Sequence, residues 1–522
     1  MSLDQRPCDS VAGDQAACHV VQIPTGYVAV WTSNQDIHLR RFEVHLFPVG
    51  AESLVNTTMN AGLQDEPVIA RGASGNVLVA WTDHNGYDGS DTGIMAKVYD
   101  PNGAELGPEF VVNATTQGPQ SGAQLAATLD GGWAVVWTGD ADDNVYLRLL
   151  DANGGFLTGD IPVNTYRTGS QSDATVGVNS QGSILVAFVD ASGHGNVGTG
   201  TNLWGRLFDA TGTPIDTRES PLLAAPADGD QVHPRLATDG LARFDLVWQD
   251  ELGDGSGSSI FERVFDRHGL PLAPEEQVNT TTNADQVTPW ITVDSLGRQF
   301  IAWADYSSGG PVPVIRARHM NAQSNPYGPD FVVNENPVNG VVHPTVCMDS
   351  QDQDIVFGYE GPGAPGDGVD VYLRRFSWTA GPHVYCAAKT NSQGCVPAID
   401  WNGYPSATWT SPFTILGSQL LNHKLCLLFY GYDSRFTPFQ GSTICVAPPL
   451  KRLHAMDSGG SASGIDCTGA PSVDFNARIQ SGVDPGLVPG ATISARWYYR
   501  DSHDPAGFGT GLSDALRFAI CP

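Results

Sequence analysis

The sequence predicts an all-β protein, a seven-bladed β-propeller followed by a disulfide-containing β-sandwich domain. Three observations carry this. An apolar run ending in an aromatic recurs seven times, at Trp31, Trp81, Trp137, Phe188, Trp248, Trp303 and Tyr359, with spacings of 50, 56, 51, 60, 55 and 56 residues. That period lies in the range of four-stranded propeller blades. Gly (60) and Pro (35) are plentiful while only 16% of residues are charged, which suits many short strands joined by tight turns. Six of the nine cysteines fall in the last 137 residues, beyond the final repeat.

Each unit reads as four strands, A to D. Strand A opens with short runs such as PVIA from Pro67, PRLA from Pro234, PWIT from Pro289 and PTVC from Pro344. Strand B is the aromatic run. It is apolar at consecutive positions (Val77-Leu78-Val79-Ala80-Trp81), as expected of a strand buried on both faces between neighbouring blades. Strand C follows a polar loop of variable length: HLRRF, MAKVY, YLRLL, WGRLF, FERVF, RARHM and YLRRF. A turn such as DPNG or DATG then leads to strand D, which ends in Val-Asn at Asn56, Asn113, Asn164, Asn279 and Asn334. Gly in last place supplies the left-handed residue that such a turn needs. Closing the meanders into a ring removes bare sheet edges. The seventh unit has no clear strand D, so residues 1–16 are expected to latch the ring. The predicted domains are this latch, a propeller over 17–380 and a Cys-rich β-sandwich over 381–522.

Self-alignment separates scaffold from variation. A basic residue occupies one register of strand C in every unit (Arg40, Lys97, Arg148, Arg206, Arg263, Arg318, Arg374), and what every blade needs equally is structural. The Val-Asn positions read the same way. Cys347 aligns with Ala70, Ala126, Gly177, Ala237 and Thr292, so it reads as a small buried residue rather than a nucleophile.

A net charge of −29 opposes nucleic acid and anionic bilayers as partners, and no apolar run approaches the ~20 residues of a membrane span. Clustered cysteines without CxxC spacing indicate disulfides and an oxidising compartment, hence a secreted or cell-surface protein. MSLDQRPCDS has no apolar leader segment, so removal of a preceding leader is expected.

Variation concentrates on one rim, where B–C loops and D-to-A connections meet. Candidate ligand-binding residues there are Asp83, Asp190, Asp250 and Asp305, each two past its aromatic, with Glu66, Asp173, His233 and His343 at the openings of A strands near the channel. Asp140-x-Asp142-x-Asn144 copies the first half of a calcium loop but lacks its Gly and distal Glu, so no cofactor is expected beyond Ca2+ at this partial site. His233 and His343 lie two units apart and do not suggest a shared metal. No HExxH, G-x-S-x-G or sialidase-type Asp-box occurs.

In the tail, KLCLLFYG from Lys424, STICVAP from Ser442 and ATISARWYY from Ala491 read as strands. Its six cysteines allow fifteen pairings. Cys386–Cys395 is the easiest local closure, Cys445–Cys467 is compatible with it, and Cys8 with Cys18 would close the latch. The repeats, with W-x-D, the strand-C Arg, D-x-x-G and Val-Asn, resemble those of large bacterial extracellular propeller proteins. The tail, with YCAAKTNSQGC, ICVAPP, DCTG and WYYRD, is similar to a C-terminal module of many secreted bacterial proteins. That resemblance implies a surface, sorting or adhesion role for the tail, with Cys426 standing where a small residue such as Gly is expected. The function expected from all this is non-catalytic binding of an extracellular glycan, peptide or protein on the variable rim. The alternative is an extracellular carbohydrate-active hydrolase using acidic residues at the channel mouth.

Overall fold

The computed structural model describes residues 5–8, 13–139, 143–196, 200–222, 229–295, 297–307, 313–334, 343–349, 354–363, 368–377, 382–408, 411–488 and 491–520. They form two compact units, Met1–Ser377 and Trp378–Pro522.

The first unit is the propeller. Six antiparallel four-stranded sheets follow one another in sequence order, and a seventh sheet has three strands, Thr345–Asp349, Asp354–Pro362 and Val369–Ser377. Blade 1 shows the pattern: A is Gln15–Ile23, B Gly26–Ser33, C Asp36–Phe42 and D Pro48–Leu54. Strand B is buried along nearly its whole length in each blade, and Trp31, Trp81, Trp137, Trp248 and Trp303 are at most 1% exposed. The two faces of one B strand serve different cores. Leu246 and Trp248 pack toward blade 4, and Val247 packs toward Ile301 and Trp303 of blade 6.

The N-terminal segment supplies the missing edge. Gln5 exchanges two backbone hydrogen bonds of 2.8 Å with Leu373 on strand C of blade 7. The strand-C cations explain why this is a strand-D position. Lys97 donates to the Val55 carbonyl of the preceding blade, Arg148 to Val112, Arg206 to Val163, Arg263 to Leu222 and Arg318 to Val278. Arg40 donates to Pro7 at 2.9 Å, so Pro7 stands where blade 7 needs its fourth strand. In blades 1 to 6 the basic register therefore ties each blade to the one before it. The Asn of Val-Asn is equally structural: Asn56, Asn113, Asn164, Asn279 and Asn334 are buried, and each side-chain oxygen accepts a strand-C amide at 2.7–2.9 Å.

The second unit is a β-sandwich. A six-stranded sheet containing Leu425–Gly431, Thr492–Arg500 and Thr510–Ala519 shares a core with the three-stranded sheet of Ala398–Asn402, Thr414–Ser418 and Ser472–Asp474. Ile399 and Ile415 meet Leu428, Trp497 and Phe518 there, joined by Phe475 of the short helix Phe475–Gln480. The disulfides are Cys386–Cys445 and Cys395–Cys467, which corrects the expected local pairing. The turn in which the Cys395 amide bonds the Asn391 side chain carries Cys395 away from Cys386 and beside Cys467. Cys426 is unbridged in the core, where burial pushes its thiol up to about 11. Cys8 and Cys18 are also unbridged, so the expected latch disulfide is absent. Both lie with Cys347 in the apolar cluster that closes the ring.

Candidate active site at the channel mouth

The A strands of blades 1 to 6 contain an irregularity near their start, and it follows a buried Gln (Gln15, Gln64, Gln120, Gln171, Gln231, Gln286). The residue two past each Gln has positive φ: Ala17 (53°), Glu66 (51°), Gly122 (67°), Asp173 (47°), His233 (53°) and Thr288 (52°). Only Gly adopts this conformation freely, so five of these six positions hold a side chain at a conformational cost. The amide at this position often bonds an acceptor from the preceding blade: Ala17 to Glu360 at 2.8 Å, Gly122 to Glu66 at 3.1 Å, His233 to Asp173 at 2.9 Å and Thr288 to Gln249 at 3.2 Å. The backbone is constant here while the side chains change from blade to blade.

Blades 4 and 5 place the most chemistry at this level. Asp173 accepts from the His233 amide and lies 2.9 Å from His233 Nδ1 through the same oxygen, and its other oxygen accepts from Arg235 at 3.1 Å. Burial opposes ionisation of Asp173, but Arg235 and His233 overcome it and hold the carboxyl at about 2. The His233 side chain stays 44% exposed, so the ring edge turned away from Asp173 reaches solvent. Arg235 lies 5.3 Å from the Trp290 ring centre, and the other contact of Trp290 is edge-on with His19 at 4.6 Å. His19 belongs to blade 1 and Trp290 to blade 6, which are not neighbours, so this contact crosses the central channel. The His19 ring is half-buried. Burial, reinforced by Arg235, lowers it to about 3, and the neutral Nδ1 accepts from the Ile69 amide at 3.0 Å.

The other predicted residues are dispersed. Glu66 accepts from the Thr82 hydroxyl and the Gly122 amide, bracing blade 2 against blade 3. His343 is exposed, 3.7 Å from Glu360. The W-x-D aspartates, expected on an open rim, lie mostly beneath it. Asp83 is fully buried and accepts from Gln64 (2.6 Å), Asn85 (2.9 Å) and the Tyr87 amide (3.0 Å). Asp190 holds the Ser192 amide, and Asp250 the Leu252 amide, with Gln231 at 3.4 Å. Asp305 is buried against Arg316 and Gln286. For Asp83, Asp250 and Asp305 a Gln on strand A turns the acid inward to shape the B–C loop. Asp83→Ala is expected to cost about 2–3 kcal/mol by stranding buried donors, read by chemical denaturation. Asp140 and Asp142 lie outside the described residues. Asn144 is buried and accepts from Asn164 at 2.6 Å.

Arg235, Trp290 and His19 carry no motif of their own. Their register, four past the Gln, holds Val68, Gln124 and Thr175 in other blades, and this variation on an otherwise regular strand is the signal that marks them.

No protein-family model and no curated protein matches the chain. Solved structures do resemble it. An α-L-arabinanase of Penicillium chrysogenum complexed with arabinobiose is 13% identical over 72% of this chain and 97% of its own, with a TM-score of 0.42. The polysaccharide lyase Uly1 is 10% identical over 70% and 90%, TM-score 0.42. A protein of unknown function from Dyadobacter fermentans is 11% identical over 72% and 97%, TM-score 0.41. The likeness is one of fold. The similarities do not favour the expected non-catalytic scaffold: the similar structures include an α-L-arabinanase, an α-L-arabinofuranosidase and a polysaccharide lyase by name.

Among the described residues no helix is long and apolar enough to cross a membrane, and no three His, Cys, Asp or Glu side chains are grouped as metal ligands.

Proposed function

We propose that the propeller is an extracellular carbohydrate-active enzyme that cleaves glycosidic bonds at the channel mouth, with His233 as the proton-transfer group. The observation that carries this reading is the Asp173–His233 pair. A carboxylate held ionised beside Nδ1 fixes the ring's tautomer and orientation and leaves Nε2 as the site for proton exchange. Arg235 adds a fixed positive charge, and the partly exposed Trp290 offers an apolar face for a sugar ring. The names of the similar structures agree with a glycan substrate, and the two disulfides agree with an extracellular setting.

The test is reducing-end release from a panel of plant, algal and bacterial polysaccharides. His233→Gln and Asp173→Asn are each expected to lower kcat on the responding substrate by roughly 100-fold or more with an unchanged melting temperature. Trp290→Ala is expected to raise KM more than it lowers kcat. Cleavage undiminished in His233→Gln would remove the assignment, and a panel neither bound nor cut would remove the function.

A further inference from the structure

The repeat that identifies scaffold residues also exposes a place where two blades depart from it. Asp245 on strand B of blade 5 aligns with Val28, Leu78, Ala134, Leu185, Phe300 and Val356. Glu262 on strand C aligns with Leu39, Ala96 and Leu147, and Gln299 on strand B of blade 6 with Val77, Ile184 and Phe244. Three registers that are otherwise apolar thus carry two acids and an amide, and all three side chains are at most 1% exposed.

The topology brings them to one seam. Val247 pairs with Glu262 and Asp245 with Val264, so Asp245 and Glu262 are diagonal neighbours on one face of the sheet, roughly 7–8 Å apart at the backbone and within side-chain reach. That face packs on blade 6 through Val247, Ile301 and Trp303. From blade 6 the Gln299 amide nitrogen donates to Asp245 Oδ1 at 2.6 Å. Ser324, which holds the turn position of Gly in other blades, faces Glu262 with its hydroxyl.

The oxygen inventory does not balance. Asp245 Oδ2, both Glu262 oxygens and Gln299 Oε1 are buried without a hydrogen bond of good geometry. Nearby cations do not reach these oxygens: Arg243 donates to Asp239 and the Ala322 carbonyl, Arg318 donates to the Val278 and Gly328 carbonyls, and neither forms a hydrogen bond or ion pair with Asp245 or Glu262. Burial, with Asp239 adding repulsion against the pull of Arg243, pushes Asp245 up to about 7. Burial, Asp245 and Glu276 push Glu262 up to about 8. Buried oxygens without donors are costly unless a positive charge joins them. A set of carboxylate, amide and hydroxyl oxygens with no His or Cys suits a hard cation and not a transition metal.

We propose that the seam between blades 5 and 6 binds one hard cation of the Ca2+ type through Asp245, Glu262, the Gln299 amide oxygen and the Ser324 hydroxyl. Its role is to clamp two blades across the apolar packing of Val247, Ile301 and Trp303, and it is independent of the reading of the channel mouth.

The test is calorimetric titration of the chelator-treated full chain with CaCl2 at pH 8, alongside thermal melts. One site per chain with a Kd of about 0.1–10 µM is expected. Saturating Ca2+ is expected to raise the melting temperature by roughly 3–8 °C. The gain should shrink at pH 5.5, where protons compete for both carboxyls. Asp245→Asn/Glu262→Gln and, separately, Gln299→Leu should abolish the site. If the double variant does not fold, Gln299→Leu and the wild-type titration still decide. Wild-type protein indifferent to Ca2+, or a site that survives these substitutions, overturns the proposal. A double variant more stable than wild type at pH 8 whether or not Ca2+ is present does so too, by assigning the seam to a shared proton.

Discussion

A chain beginning at Gly13 is expected to melt more than about 10 °C below the full-length protein and to self-associate. Such a truncation keeps every strand of blade 1, which starts at Gln15, and removes only the segment that completes blade 7. The losses are specific. Two backbone hydrogen bonds between Gln5 and Leu373 disappear, as does the acceptor that Pro7 offers to buried Arg40. The ion pair of Arg6 with fully buried Asp370 goes as well. Each backbone bond is worth about 1 kcal/mol, and breaking a buried ion pair from one side costs about 3–5 kcal/mol. Val369–Ser377 would become a bare sheet edge. Thermal melts and light scattering read both effects. A truncated protein that stays monomeric and melts within 2 °C of the full chain would show that the ring closes without its latch.

The second large effect lies in the sandwich. The bonds Cys386–Cys445 and Cys395–Cys467 span 59 and 72 residues, and loops of that size correspond to about 4 kcal/mol each by the chain-entropy argument. Replacing one pair by serines is therefore expected to lower the unfolding transition of residues 378–522 by roughly 10 °C, followed by calorimetry and proteolysis of the full chain. Peptide mapping under non-reducing conditions should recover the 386–445 and 395–467 links. A 386–395 link would contradict the structure.

The propeller was legible because a strand buried on both faces needs the same residue types in every blade, and seven copies make that requirement visible. The strand-C cations were legible for the same reason, although their carbonyl partners on the preceding blade were not. In the sequence Asp83 and Asp305 look like rim acids, because a loop aspartate gives no sign of the glutamine that will turn it inward. Cysteine pairing was illegible because proximity along the chain, which favours Cys386 with Cys395, says nothing about which strands become neighbours. The channel residues Arg235 and Trp290 sat in strands already assigned to the scaffold. Their difference from Val68 and Thr175 was present in the self-alignment, and it acquires meaning only once His19 is seen to reach Trp290 across the channel.

The latch also sets a schedule. Gln5 and its partner Leu373 are separated by nearly the whole propeller, so the latch segment has no place to pair until the last blade exists. At about 5–20 residues per second this interval is roughly 20–70 s. During it the growing arc carries an unpaired N-terminal segment, and the strand C of blade 7 that will receive it is bare until closure. A second nascent chain offers the same segment and the same acceptor strand, so exchange of N-terminal segments between chains competes with closure. Slow synthesis or crowded expression should therefore enrich latch-swapped dimers, whose arms are native in every contact but the identity of the chain.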